Sequence, residues 1–267
     1  MSMLVWDATA ERLYETGTKM GVLYPQNAAG QYPIGYAWNG LTAVTESPSG
    51  AESNKQYADD IPYLDLYSAE EFGYTIEAFM YPWEFAECDG SAEVADGVVI
   101  GQQPRKPFGF CYRTVLGNDT EGNDHGYKLH LIYNSKASPS ERGYQTVNDS
   151  PEPITFSWEC STTPVNVRGY KPCSQMTIDS TKCNAEALTA LEAVLYGDAS
   201  HNARLPLPDE VLSILAGASG TVTYTVVENP TGDPSALGYY VRLGNAFVKS
   251  TDASVVEGTV YYERTVA

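Results

Sequence analysis

Positive charge is in short supply in this sequence. Lys and Arg number 16 against 34 Asp and Glu, which leaves the 267 residues at a net charge of −18. Gripping nucleic acid requires cations that neutralise phosphates, so a DNA- or RNA-binding role is not expected. Passage of nucleic acid without adhesion is compatible with such a balance. Long apolar runs are missing too. No window of about 18 residues is free of polar and charged groups, so no membrane-spanning helix is expected. The start, Met1-Ser-Met-Leu-Val-Trp-Asp7, has neither a basic region nor an apolar core, so no targeting segment is expected. Cysteines number only 5, Cys88, Cys111, Cys160, Cys173 and Cys183, and form no CxxC pair. That pattern predicts free thiols in a reducing compartment and no disulfide framework.

Chemical signatures are equally sparse. There is no GxSxG elbow, GxGxxG loop or Walker sequence, so neither a serine hydrolase nor a nucleotide site is indicated. His125 and His130 lie beside Asp124, but their spacing matches no zinc pattern. Loop and surface roles are expected for both, and no metal or cofactor. The acidic run Asp119 to Asp124 lacks the Gly and Glu positions of a calcium loop. Glu77, Glu84, Glu87 and Asp89 gather near Phe79, Tyr81 and Trp83, as a glycosidase would require. In so acidic a chain, such a cluster also arises by chance.

What is present is a globular composition, 43% hydrophobic, and a pattern of strands. In Ile154-Thr-Phe-Ser-Trp-Glu-Cys160, Ile154, Phe156, Trp158 and Cys160 alternate with polar residues, the mark of a half-buried strand. Gly126 to Tyr133 repeats the pattern, with Tyr127, Leu129, Leu131 and Tyr133 on one side. Tyr74 to Tyr81 is apolar on both faces apart from Thr75 and Glu77, which predicts a central strand. Phe108 to Leu116 and Met176 to Ile178 are further strands. Asn184 caps a run that places Leu188, Leu191 and Leu195 on one helix face, with Gly197 past its end. Pro208 to Leu215 starts as a short helix should, and Ser68 to Glu71 predicts one capped turn. Asn118 to Asp124 and Ser135 to Glu141 read as loops. So does Thr45-Glu46-Ser47-Pro48-Ser49-Gly50-Ala51-Glu52-Ser53-Asn54, which is long enough to have a role of its own.

Composition shifts after Leu215, where Gly217 to Gly220 looks like a linker. Residues 221–267 read as three or four short strands with five acids and three bases, so −16 of the charge lies in residues 1–220. The expected division is a domain over 1–218 and a small β appendage over 219–267. The 20 tyrosines admit two readings. Tyr57, Tyr63, Tyr67, Tyr74 and Tyr81 could form a sugar-stacking platform, or serve sheet packing and protein interfaces.

Several long runs, in order, resemble the major tail tube proteins of long-tailed, siphovirus-type phages of Gram-positive bacteria. They are Arg12 to Pro25, Ala37 to Glu52, Ser68 to Ala78, Tyr81 to Phe85, Gly101 to Gly109, Gly117 to Gly126 and Arg204 to Glu210. The resemblance covers residues 4–215. It implies a mainly β protein, a sandwich or barrel with a flanking helix at about 184–196. Six copies would close into rings around a shared β-barrel lumen. Stacked rings would form the tube through which the genome leaves. The implied partners are further copies, other tail proteins such as the tape measure, tail terminator and distal tail protein, and double-stranded DNA in transit. The implied location is the virion tail, assembled in the host cytoplasm, with no enzymatic activity. The loop Thr45 to Asn54 is the natural candidate for bridging subunits or rings, and Glu77 and Glu159 for acids lining the lumen. The rival readings are a monomeric carbohydrate-binding β-sandwich and a glycoside hydrolase near Trp83.

Overall fold

The computed structural model describes residues 4–147, 149–150, 152–218, 222–227, 239–243, 246–250, 254–256 and 259–266. The chain divides into two compact units, Met1–Ala216 and Gly217–Ala267. It is mainly β, with 44% strand and 12% helix.

The first unit is organised by one antiparallel sheet. Its strands are β1 (Tyr14–Pro25), β2 (Tyr36–Trp38), β3 (Leu41–Glu46), β6 (Gly73–Ala78), β7 (Phe108–Asn118), β8 (Gly122–Ala137), β9 (Phe156–Thr162) and β10 (Gln175–Asp179). The order is β2-β1-β7-β8-β9-β6-β3, with β10 pairing β8. β4 (Ser53–Ala58) and β5 (Ile61–Tyr67) form a separate hairpin. The two ends of the sheet, β2 and β3, are joined only by Asn39 and Gly40, so the sheet must roll to bring them together. A Cβ placed on Gly21 of β1 would lie 3.2 Å from Leu41 of β3, which puts those strands in contact across the roll.

Strands at the centre of this roll bury both faces. On β1, Val22 and Tyr24 face one way and Leu23 the other. On β7, Cys111 opposes Phe110 and Tyr112. On β8, Leu129, Leu131 and Tyr133 oppose Ile132. The first set packs under α1 (Ala185–Tyr196), which contributes Leu188, Leu191 and Leu195, and under α2 (Pro208–Ser213), which contributes Val211. The second set fills the inside of the roll with Trp38, Tyr74, Ile76, Phe85, Phe108 and Trp158. Each such side chain stabilises the fold by roughly 1.5–3 kcal/mol through removal from water.

The helix forms where the sequence places it. Asn184 Oδ1 accepts from the N–H of Glu186 (2.9 Å) and Ala187 (3.1 Å), and Gly197 follows the last turn at φ 79°. Other segments differ from expectation. The capped turn at Ser68–Glu71 is extended instead, with Glu70–Glu71 pairing Ser49–Gly50. Ser135 to Ala137 is not loop but the end of β8, because it pairs Cys160 to Thr162. The strand from Tyr74 stops at Ala78, and only Tyr74, Ile76 and Ala78 are buried, so it is covered on one face.

Six of the tyrosines, Tyr24, Tyr32, Tyr74, Tyr112, Tyr133 and Tyr261, are buried among the described residues. Tyr24 donates to Leu195 O (2.7 Å), Tyr133 to Pro206 O (3.1 Å) and Tyr74 to Ser135 Oγ (2.9 Å). Burial holds all three phenols well above their ordinary pKa.

The second unit contains β11 (Val222–Val226), β12 (Tyr240–Leu243), β13 (Ala246–Lys249) and β14 (Tyr261–Val266) in the order β11-β14-β12-β13. Tyr261 is fully buried in it, and its hydroxyl accepts from Val256 N (3.1 Å).

Candidate functional site

The sequence-predicted loop Thr45 to Asn54 is the root of a longer projection. Thr45 and Glu46 end β3, Ser49 and Gly50 pair Glu71 and Glu70, and Ser53 and Asn54 begin β4. The ribbon then runs to a tip at Asp59 and Asp60, both in the left-handed region at φ 50° and 62°. That pair of positive φ values suits the right-handed twist of a hairpin. Gly50 is required at the root, since a Cβ there would sit 2.3 Å from Ala69 O.

Every residue of both hairpin arms is exposed. The register places Ser53 opposite Tyr67 and Lys55 opposite Asp65 on one face, and Asn54 opposite Leu66 and Gln56 opposite Leu64 on the other. Tyr63 and Tyr67 are each about two-thirds exposed, and Leu64 and Leu66 half exposed. A two-stranded ribbon with apolar groups on both faces has no core of its own to bury them. Tyr57, Tyr63 and Tyr67 are all exposed on this hairpin, whereas Tyr74 is core and Tyr81 packs on Trp158 and Phe156. The five do not form one platform.

Glu77 and Glu159 come together on the outer face of the roll. Glu77 lies opposite Ser157, and Glu159 opposite Thr75. They are diagonal neighbours, a separation of roughly 7–8 Å in a sheet. Ala43 and Thr45 continue this face on β3, and Ser161 on β9 continues it toward Lys136 of β8. The face is smooth, built of small and hydroxyl side chains around two carboxylates and one ammonium.

A second polar cluster was not legible in the sequence. His130 is buried, not on the surface, and its ring stacks on Tyr112 at 4.5 Å and 5°. Nε2 meets Thr114 Oγ1 (3.0 Å) and faces Glu15 Oε1 (3.6 Å); Nδ1 faces Glu46 Oε1 (3.6 Å). Thr114 gives its proton to Glu15 (2.5 Å), so its oxygen accepts from His130, which assigns the imidazole proton to Nε2. Tyr112 Oη donates to Glu46 Oε1 (2.7 Å), as does the Gln175 amide, and Lys128 Nζ reaches Glu15 (2.5 Å). Burial lowers the His130 pKa against the opposing pull of Glu46 and Glu15. Burial raises the Glu15 pKa, but the bonds from Lys128 and Thr114 outweigh it and leave the group below its ordinary value.

The acids near Trp83 fall in three places. Asp89 is buried between Arg105 (3.4 Å) and Arg142, Glu77 lies on the outer sheet face, and Glu84 and Glu87, the latter paired with Lys106 (3.0 Å), line one cleft beside Trp83. His125 is half-buried near the start of β8, not in a loop, and bonds Glu121 (2.6 Å) of the turn that precedes the strand. Among the described residues, no group of three or more His, Cys, Asp or Glu is placed to hold a metal ion, and no helix is long and apolar enough to cross a membrane.

No family model matches the chain, and no curated protein sequence matches it. Similar solved structures include a chain of an anti-feeding prophage baseplate, at 8% identity and TM-score 0.33, covering 66% of this chain and 97% of that one. Another belongs to the sheath–tube complex of an extracellular contractile injection system in its extended state, at 11% identity and TM-score 0.26, covering 60% of this chain and 88% of that one. Scores of this size carry no functional conclusion by themselves.

Proposed function

We propose that the chain is a structural, non-catalytic virion subunit that assembles with copies of itself into the stacked, six-membered rings of a phage-type tail tube. The observation that carries this reading is the hairpin Ser53–Ala58/Ile61–Tyr67, exposed along its whole length with apolar groups on both faces. Such a ribbon is stable when a second surface covers it, and a further copy of the chain supplies that surface at every position of a ring. The root Thr45 to Asn54 sets where the ribbon leaves the body. The ordered sequence resemblance to tail tube proteins supports the same reading.

In this assembly the outer face of β3, β6 and β9 lines the channel. Glu77 and Glu159, repeated around the ring, would repel phosphates, and the small hydroxyl side chains would leave few apolar or cationic groups for DNA to grip. The remaining partners are the tail proteins at the two ends of the tube and the tape measure within it.

The test is electron microscopy and sedimentation of the purified chain beside a variant whose Ser53 to Tyr67 is replaced by a Gly/Ser segment. Rings or tubes from the first and monomers from the second support the reading. A chain that stays monomeric at every concentration, alone and with tail-tip proteins as initiators, overturns it.

A further inference from the structure

Apart from the hairpin and the outer face of β3, β6 and β9, the first unit carries a cleft of about 520 Å³, within the usual range of small-ligand sites. Trp83 and Tyr36 supply aromatic surface, Pro33 an apolar wall, and Glu84, Glu87 and Lys106 the polar edge. Trp83 is half exposed, although it opens a short helical turn, Trp83–Glu87, that is firmly anchored. Phe85 of the same turn is fully buried, with its ring 4.7 Å from Trp38, 5.5 Å from Phe108 and 5.2 Å from Trp158. Pro82 fixes the entry to the turn.

The indole is held in place. Its Nε1 donates to Glu93 Oε2 (2.9 Å), while Glu93 Oε1 accepts from Gly97 N (3.0 Å). These two bonds keep the Glu93 carboxyl below its ordinary pKa, so it remains a charged acceptor. The ring's one polar atom is thereby used, and what it offers a ligand is its flat face. A rigid aromatic face has already lost the rotamer freedom that binding would otherwise cost.

We propose that this cleft binds a neutral saccharide, with a pyranose ring stacked on Trp83. A pyranose has an apolar C–H face for the indole and hydroxyls for the edge, where carboxylates accept and Lys106 donates. Three glutamates against one lysine line the cleft, which disfavours phosphorylated or acidic sugars. A cationic ligand is less suited, because Glu87 is already paired with Lys106 and Glu93 with Trp83 and Gly97. Binding at one site is weak, in the millimolar range typical of shallow contacts, and a repeated array would raise it by avidity. This inference goes beyond the assembly reading and does not depend on it.

The experiment is a titration of the full chain, kept disassembled, with neutral disaccharides of glucose, galactose, mannose and N-acetylglucosamine up to about 20 mM, following the indole N–H resonances. The chain has 4 tryptophans, so a Trp83→Phe spectrum assigns the signal. At least one neutral sugar is expected to move the Trp83 signal, and Trp83→Ala to weaken binding about tenfold or more with the remaining spectrum unchanged. Silence with all four sugars overturns the proposal. So does a response only to a phosphosugar or a quaternary ammonium ion, or an affinity unchanged in Trp83→Ala.

Discussion

At the residue scale, the structure puts two uncommon side chains in the core. His130 is neutral in the fold, because burial lowers its pKa from the ordinary value. As pH falls through the unfolded imidazole value of about 6.5, the unfolded chain takes up a proton that the folded chain resists, so stability falls. Glu15, held below its ordinary pKa, adds a loss in the same direction at lower pH. The urea midpoint is therefore expected to drop between about pH 7.5 and 5.5, and His130→Gln to flatten that slope. An unchanged slope in the variant would remove His130 as its source. Trp158 is the other case. Its ring meets Trp38, Tyr81, Phe85 and Phe156, yet its Nε1 has no partner. Trp158→Ala opens a cavity and is expected to cost about 3–5 kcal/mol. Trp158→Phe loses packing but also removes the orphaned donor, so urea unfolding should show a cost closer to about 1 kcal/mol.

At the element scale, helix α1 and the hairpin are stabilised in opposite ways. Asn184→Ala removes two capping bonds and is expected to cost about 1 kcal/mol in urea unfolding, with no effect on association. Replacing Tyr63, Leu64 and Leu66 by serine should do the reverse. These side chains are exposed, so the thermal midpoint of the monomer should hold while sedimentation reports lost association. The same contrast explains what could be read from the sequence. The helix declares itself through local chemistry, a cap, a three-to-four-residue apolar spacing and a terminal glycine. Phe156, Trp158 and Cys160 likewise declare a strand through alternation. The hairpin carries no such signal, because one face mixes tyrosine with Lys55 and Asp65 and the other mixes leucine with Asn54 and Gln56, so neither reads as wholly apolar, and only its root was legible as a loop at Thr45 to Asn54. The cluster around His130 was hidden for another reason. It joins residues of β1, β3, β7, β8 and β10 that only the rolled sheet brings together, and the alternation along β8 marks that face as polar. Ser135 to Ala137 misled for the same reason, since its polar residues are strand by virtue of pairing with β9.

At the scale of the whole molecule, the net charge of −18 sets the conditions for assembly. Copies of so acidic a chain repel one another, and that repulsion is screened over about 10 Å at 0.1 M salt and about 3 Å at 1 M. The attraction proposed for the hairpin is apolar contact through Tyr63, Leu64, Leu66 and Tyr67, which salt does not weaken. The ion pairs that would respond to salt, such as Lys106 with Glu87 and Arg204 with Glu210, are already closed within the chain. Screening should therefore remove the opposing force and leave the driving force intact. Association, measured by sedimentation from about 20 mM to 500 mM sodium chloride, is expected to strengthen with salt. An interface held by charge pairs between copies would show the opposite trend, with tubes dissolving as salt rises. That result would move the contact away from the apolar ribbon and toward the acidic surface of the body.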